Sequence, residues 1–251
     1  MWKIFNREAE PKTEAERLFK SLKVPYVTQP DGTFFVPGNL SLTNRDMAKL
    51  PDLTNVIVGG HFYCDNNLLT SLRGAPKEVR GHFHCENNIL MSLEGVTNTV
   101  IGGSFLAENN HLGTLAGCPV NVGGEYDFTF NNLRNLKGAP ASVDGTFGCA
   151  NNHLTSLEGA PATVGGNFYC ALNDLTSLEG APQKVGGDFN CHYNKLKSLQ
   201  GGPVEVGGSY ACNNNELTTL QGEPAKLGGN LICDHNNLTS WSPKARQSLR
   251  L

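Results

Sequence analysis

This sequence has no long apolar run. None of its hydrophobic stretches approaches the roughly 20 residues that a membrane-spanning helix needs, so no membrane partner is expected. The opening stretch MWKIFNREAEPKTEAERLF lacks an extended apolar segment and a small-residue cleavage site, and does not read as a secretory signal. Positive charge is not in excess. Twenty Lys and Arg stand against 23 Asp and Glu, a net of −3, which offers little to a nucleic-acid backbone. The G-x-S-x-G elbow, the phosphate-cradling Gly loop and the H-E-x-x-H zinc helix are all missing. The expectation is a cytoplasmic, non-enzymatic chain without cofactor or metal.

What is present is a 21-residue unit, best seen in FGCANNHLTSLEGAPATVGG and FYCALNDLTSLEGAPQKVGG. Units open at Leu40, Phe62, Phe83, Phe105, Tyr126, Phe147, Phe168, Phe189, Tyr210 and Leu231. Such a period predicts a solenoid, whose units bury their apolar side only by stacking on one another. The 29 glycines follow from it, since most copies place three in turns. Seven of the eight cysteines share the third position of the unit: Cys64, Cys85, Cys149, Cys170, Cys191, Cys212 and Cys233. Leu42, Ala107 and Phe128 fill that position elsewhere, which points to inward packing of reduced thiols. Disulfides and zinc are the alternatives, but zinc ligands converge in C-x-x-C clusters, and these lie a full unit apart. Reduced thiols imply a reducing compartment.

Each residue type in the unit has a physical task. The opening aromatic and the Cys two positions later alternate with polar residues, as in a short strand. Asn at the sixth position, from Asn67 to Asn236, can satisfy backbone groups at the bend. Leucines at the eighth and eleventh positions, such as Leu154 and Leu157, supply the core. Gly159 and Pro161 punctuate the return, Val164 re-enters the core, and Gly165 and Gly166 turn the chain into the next strand.

The order F-x-C-x-x-N-x-L-x-x-L resembles the leucine-rich repeat, and LTSLEGAP resembles its short bacterial and bacteriophage-type variants. The likeness covers about residues 40–241. It departs in the aromatic that opens the strand and in the Gly pair before it. It implies a leucine-rich-repeat-like solenoid of about ten coils with a parallel β-sheet on one face, stacked over roughly 43 Å. A three-sided parallel β-helix is the alternative. Residues 1–39 are expected to form an N-terminal cap, a helix with a Thr13–Glu16 capping box followed by a hairpin around Pro30, Asp31 and Gly32. Residues 242–251 are expected to form a capping helix opened by Ser242 and Pro243, with Trp241 in the place of a core leucine. Nothing remains for a second domain. Some bacterial effectors that this repeat resembles carry a separate ubiquitin-ligase domain, and that activity is not carried over.

In the family that this chain resembles, the outward strand positions line a concave partner-binding face. Here those positions are the residue before the aromatic, the one after it, and the two after the Cys. They include Asp65, Glu86, Glu108, Glu125, Asp127, Asp188 and Asp234, and no Lys or Arg. Phe130, Tyr169, Leu172 and Tyr193 break the polar pattern, and exposed aromatics are favoured interface anchors. His61, His82 and His84 cluster near Tyr63, Asp65 and Glu86. The function expected is a protein-interaction module binding a protein partner through its acidic, partly aromatic concave face. Analogy with the family adds sequestration or inhibition of a host or defence protein, in the host cytosol if phage-encoded. The alternatives are capture of a small, nucleotide-like ligand and a metal-dependent enzyme using the histidine cluster.

Overall fold

The computed structural model describes residues 12–248, and it is a parallel β-solenoid. Expectations for residues 1–11 and 249–251 lie outside the described residues. Each unit makes one coil, numbered here 1 to 10 from Leu40. Every opening pair, from Leu40–Ser41 to Leu231–Ile232, is a strand of one ten-stranded sheet. The register is direct: Phe147 lies over Phe168 and Phe168 over Phe189. The aromatic column stacks, with ring centroids 5.7 Å apart for Phe147–Phe168 and 5.6 Å for Phe168–Phe189. The cysteine column lies beside it, and all eight cysteines are free and buried. Leucines at the eighth and eleventh positions close the core through Leu220.

A second ladder runs along another side, where only turns were expected. The segment ending in the re-entrant apolar residue pairs coil to coil in two runs, Val56–Val58 to Asn121–Val122, which the N-terminal hairpin extends to a six-stranded sheet, and Ser142–Val143 to Lys226–Leu227, a five-stranded one. Glycine makes this possible. A Cβ at Gly186 would lie 2.0 Å from the carbonyl oxygen of Gly165, so successive coils touch backbone to backbone. The ladder breaks between Asn121–Val122 and Ser142–Val143. There Asp144 occupies the glycine column and Phe128 adds a buried ring to the cysteine column. Arg80 fills the glycine column three coils earlier without breaking the ladder, so the side chain at that position alone does not open it.

Both ends are closed. Helix α1 (Glu14–Leu22) begins with the reciprocal Thr13–Glu16 capping box. It buries Phe19 against Tyr26 and Phe34, with centroids 4.9 and 6.0 Å away. Strands β1 (Val27–Thr28) and β2 (Phe34–Val36) form the hairpin, and β2 templates the second ladder by pairing with Val56–Val58. At the other end Ser242 Oγ accepts a bond from Ala245 N at the start of a helix described over Pro243–Ser248. Trp241 does not take the place of a core leucine. It is 38% exposed, at the edge where the helix over Pro243–Ser248 follows coil 10 among the described residues. No described helix is long and apolar enough to cross a membrane.

Candidate functional site: the outer face of the ten-stranded sheet

The sixth-position asparagines form a buried ladder. Asn173 Nδ2 donates to the carbonyls of Cys149, Cys170 and Ala171 at 3.1, 3.1 and 3.2 Å, and its Oδ1 accepts from Leu154 N at 3.0 Å. One side chain thus joins the bend of its own coil to the coil before. The same pattern recurs from Asn67 to Asn215, with Asn236 half-buried at the end.

A second polar ladder occupies the residue before the aromatic. His61 N donates to Asn39 Oδ1 at 2.8 Å, His82 N to His61 Nδ1 at 2.9 Å, and Ser104 N to His82 Nδ1 at 2.9 Å. Farther along, Asp188 N donates to Asn167 Oδ1 and Ser209 N to Asp188 Oδ1. Asn, His, Ser, Thr and Asp alternate in this column because each carries an acceptor close to the backbone, the Ser and Thr hydroxyls one bond nearer and bonding at 3.2–3.3 Å. The sequence hid this column, since no single residue type marks it. It also explains the histidines. His61 and His82 stack with centroids 4.9 Å apart, and each spends Nδ1 on the next coil. Loss of solvent, then the neighbouring His82 and His84, holds His61 below the ordinary histidine value. His84 differs. Its bond to Glu86 Oε1, at 2.9 Å, raises it. Among the described residues no group of three His, Cys, Asp or Glu side chains is placed to hold a metal ion.

The fourth-position acids lie lower in the face than an outward register implies. Asp65 is buried, accepting from Thr43 Oγ1 at 2.7 Å and Asn66 Nδ2 at 2.6 Å. Glu86 and Glu108 are half-buried, and each has one oxygen, Oε2, shielded from solvent without a partner. Burial first, then Asp127 and Glu86, pushes the Glu108 carboxyl up to about 7. Asp127 accepts from Thr129 N at 2.8 Å, and Glu125 is half-buried in the ladder column.

The fifth position is not a strand residue. In coils 1 to 10 it is the left-handed residue of the bend, with φ between 51 and 56°: Asn44, Asn66, Asn87, Asn109, Phe130, Asn151, Leu172, Tyr193, Asn214 and His235. Asn tolerates this conformation, whereas bulky side chains are strained in it. Phe130, Leu172 and Tyr193 adopt it with φ of 56, 56 and 52° while 57, 44 and 53% exposed. Leu172 and Tyr193 stand on adjacent coils, joined through Leu172 N to His192 O at 3.0 Å. Tyr169 faces out but is half-buried, with its hydroxyl accepting from Asn167 Nδ2 at 2.7 Å. It is a flank of the ridge rather than its crest.

Basic residues beyond the bend pair across coils, as Arg73–Glu94 (2.6 Å) and Lys137–Glu158 (2.9 Å) in the return turns and Lys195–Asp174 (2.6 Å) just after the ladder asparagines. Burial holds the column thiols above their ordinary value, Cys233 at about 11, the opposite of a reactive cysteine. No protein-family model matches this sequence, and no curated protein matches it.

Proposed function

We propose that this chain is a non-enzymatic protein-interaction module that binds a protein partner through the outer face of the ten-stranded sheet. One observation carries this. Three bulky apolar side chains occupy left-handed positions where most coils place Asn, and all three are exposed. The conformation costs an L side chain roughly 1–2 kcal/mol, and exposure returns nothing to the fold. A contact made with a partner is the compensation that accounts for both. The cavities at Ser156, Glu158, Glu179 and Gly180 and along Lys184, Glu205 and Lys226 lie away from these residues, which favours a protein over a small ligand at this face.

The F-x-C-x-x-N-x-L-x-x-L order supports membership of the leucine-rich repeat family, with a bacterial or bacteriophage source. The buried reduced thiols support a cytoplasmic location. Sequestration or inhibition of a host protein is the use that the family analogy favours.

The test restores the repeat. Leu172→Asn with Tyr193→Asn is expected to raise stability by about 1 kcal/mol or more while abolishing capture of the native partner. The parent and the double variant are used side by side as bait in the native cell, with quantitative mass spectrometry of what each retains. If no protein separates the two, the ridge is not the docking surface.

A further inference from the structure

The proposed docking face is not uniform along the solenoid axis, and its asymmetry defines the chemistry of the occupant. In coils 2 to 4 the fourth position is Asp65, Glu86 and Glu108; in coils 5 to 7 it is Thr129, Ala150 and Ala171. The exposed apolar side chains begin with Phe130, one coil beyond Glu108, and resume after Asn151 with Leu172 and Tyr193. Two of the carboxylates are satisfied within the chain: Asp65 by Thr43 and Asn66, and Asp127 by the Thr129 amide. Two are not. Glu86 gives one oxygen to His84 and leaves Oε2 shielded and unpartnered, and Glu108 Oε2 is likewise shielded and unpartnered. Unpaired buried acceptors are costly, and a Lys or Arg side chain consists of donors alone. No Lys or Arg of this chain stands at an outward strand position of the face.

Resting on the interaction reading above, we propose that the partner segment lies along the solenoid axis with fixed polarity. It sets apolar side chains against Phe130, Leu172 and Tyr193, and a Lys or Arg against Glu86 and Glu108. The cation lies over the half-buried carboxylate pair, whose shielded Oε2 atoms it reaches through its field rather than by direct contact. The charged groups facing that point are Asp65, His84 and Asp127, so the local field is negative with one titrating histidine. Because Glu108 titrates near 7, held there by burial first and by Asp127 and Glu86 next, it is mostly protonated a unit below that pH and mostly ionised a unit above. Cation binding therefore strengthens as pH rises through this range.

The probe is a random linear peptide library displayed on phage and panned on the full chain. Enriched peptides are expected to join aromatic or large aliphatic residues to Lys or Arg. The best of them, measured by fluorescence anisotropy, is expected to lose about tenfold or more in affinity against Glu86→Gln with Glu108→Gln, a loss typical of an unpaired interface charge. It is also expected to bind more tightly a pH unit above neutrality than a unit below, and to weaken with salt. Peptides without Lys or Arg, or failure to enrich any sequence, overturn the proposal. A peptide sensitive to Leu172→Asn and Tyr193→Asn but indifferent to the glutamine pair overturns the cationic end alone and leaves the docking face standing. Indifference to both pairs removes the docking face as well.

Discussion

At the scale of single residues, the chain couples positions that are distant in sequence. Tyr210 replaces the usual Phe, and its buried hydroxyl has the weak Cys191 thiol beside it and no nitrogen or oxygen partner. Four of the eight return turns that begin with Gly read Gly-Ala-Pro, but the one before Tyr210 reads Gly201-Gly202-Pro203. A Cβ at Gly202 would lie 2.8 Å from the Tyr210 hydroxyl oxygen, so the missing methyl makes room for it. Tyr126 solves the same problem differently, donating to the Pro119 carbonyl at 2.9 Å. Gly202→Ala is expected to destabilise the protein by about 1–3 kcal/mol, as overpacking does. Tyr210→Phe is expected to be neutral or stabilising, because it deletes an unsatisfied buried group. The two should not add: in the Phe background the alanine is expected to cost at least about 1 kcal/mol less. Additive denaturant midpoints across the four proteins would show that the hydroxyl and the glycine are unrelated. The fifth position teaches a similar lesson about sequence. Its run of asparagines was visible, and Asn is the side chain best suited to a left-handed bend. The strand register nonetheless assigned it to a flat polar surface, because alternation alone cannot locate the end of a strand two residues long.

At the scale of the coil, stability comes from ladders that bind each unit to its neighbours. Asn173 closes four hydrogen bonds in a buried site. Asn173→Ala leaves Leu154 N without its acceptor and is expected to cost about 2–3 kcal/mol, the lower end applying if water enters. Amide exchange should quicken at Leu154, in the preceding coil, rather than at position 173 itself. Unchanged protection at Leu154 would mean that the asparagine acts only within its own bend. This ladder was legible because one residue type fills it. The ladder before the aromatic was not, because five residue types meet the same demand there. The second strand was missed for another reason. Its sequence is a single re-entrant apolar residue followed by glycines, and in isolation glycines signal a turn. Here they permit backbone contact that any side chain would obstruct.

For the molecule as a whole, the repeat period was the decisive signal. It set the coil boundaries, the aromatic and cysteine columns and the direct register, whereas the division of labour on the outer face came only from the bends. The cysteine column gives a test at this scale. All eight thiols are buried and free, so the folded protein is expected to resist thiol reagents, and the denatured, unreduced protein to label at eight positions. Rapid labelling of the folded chain, or a denatured count of four or fewer, would contradict the packing. One consequence of the direct register reaches beyond stability. Each coil offers the next the same donors and acceptors that it receives from the last, with Phe147, Phe168 and Phe189 in line. Loss of residues 168–188 would carry Phe189 onto Phe147 with every column restored, and even one extra residue is absorbed in the return segment, as in the 22-residue units that open at Leu40 and Phe83, whose strands still pair in direct register with the next coil. Heritable change in such a gene has whole coils as its natural step: they can be copied or dropped, the reach of the protein growing or shrinking by one step, while its cross-section is inherited unchanged.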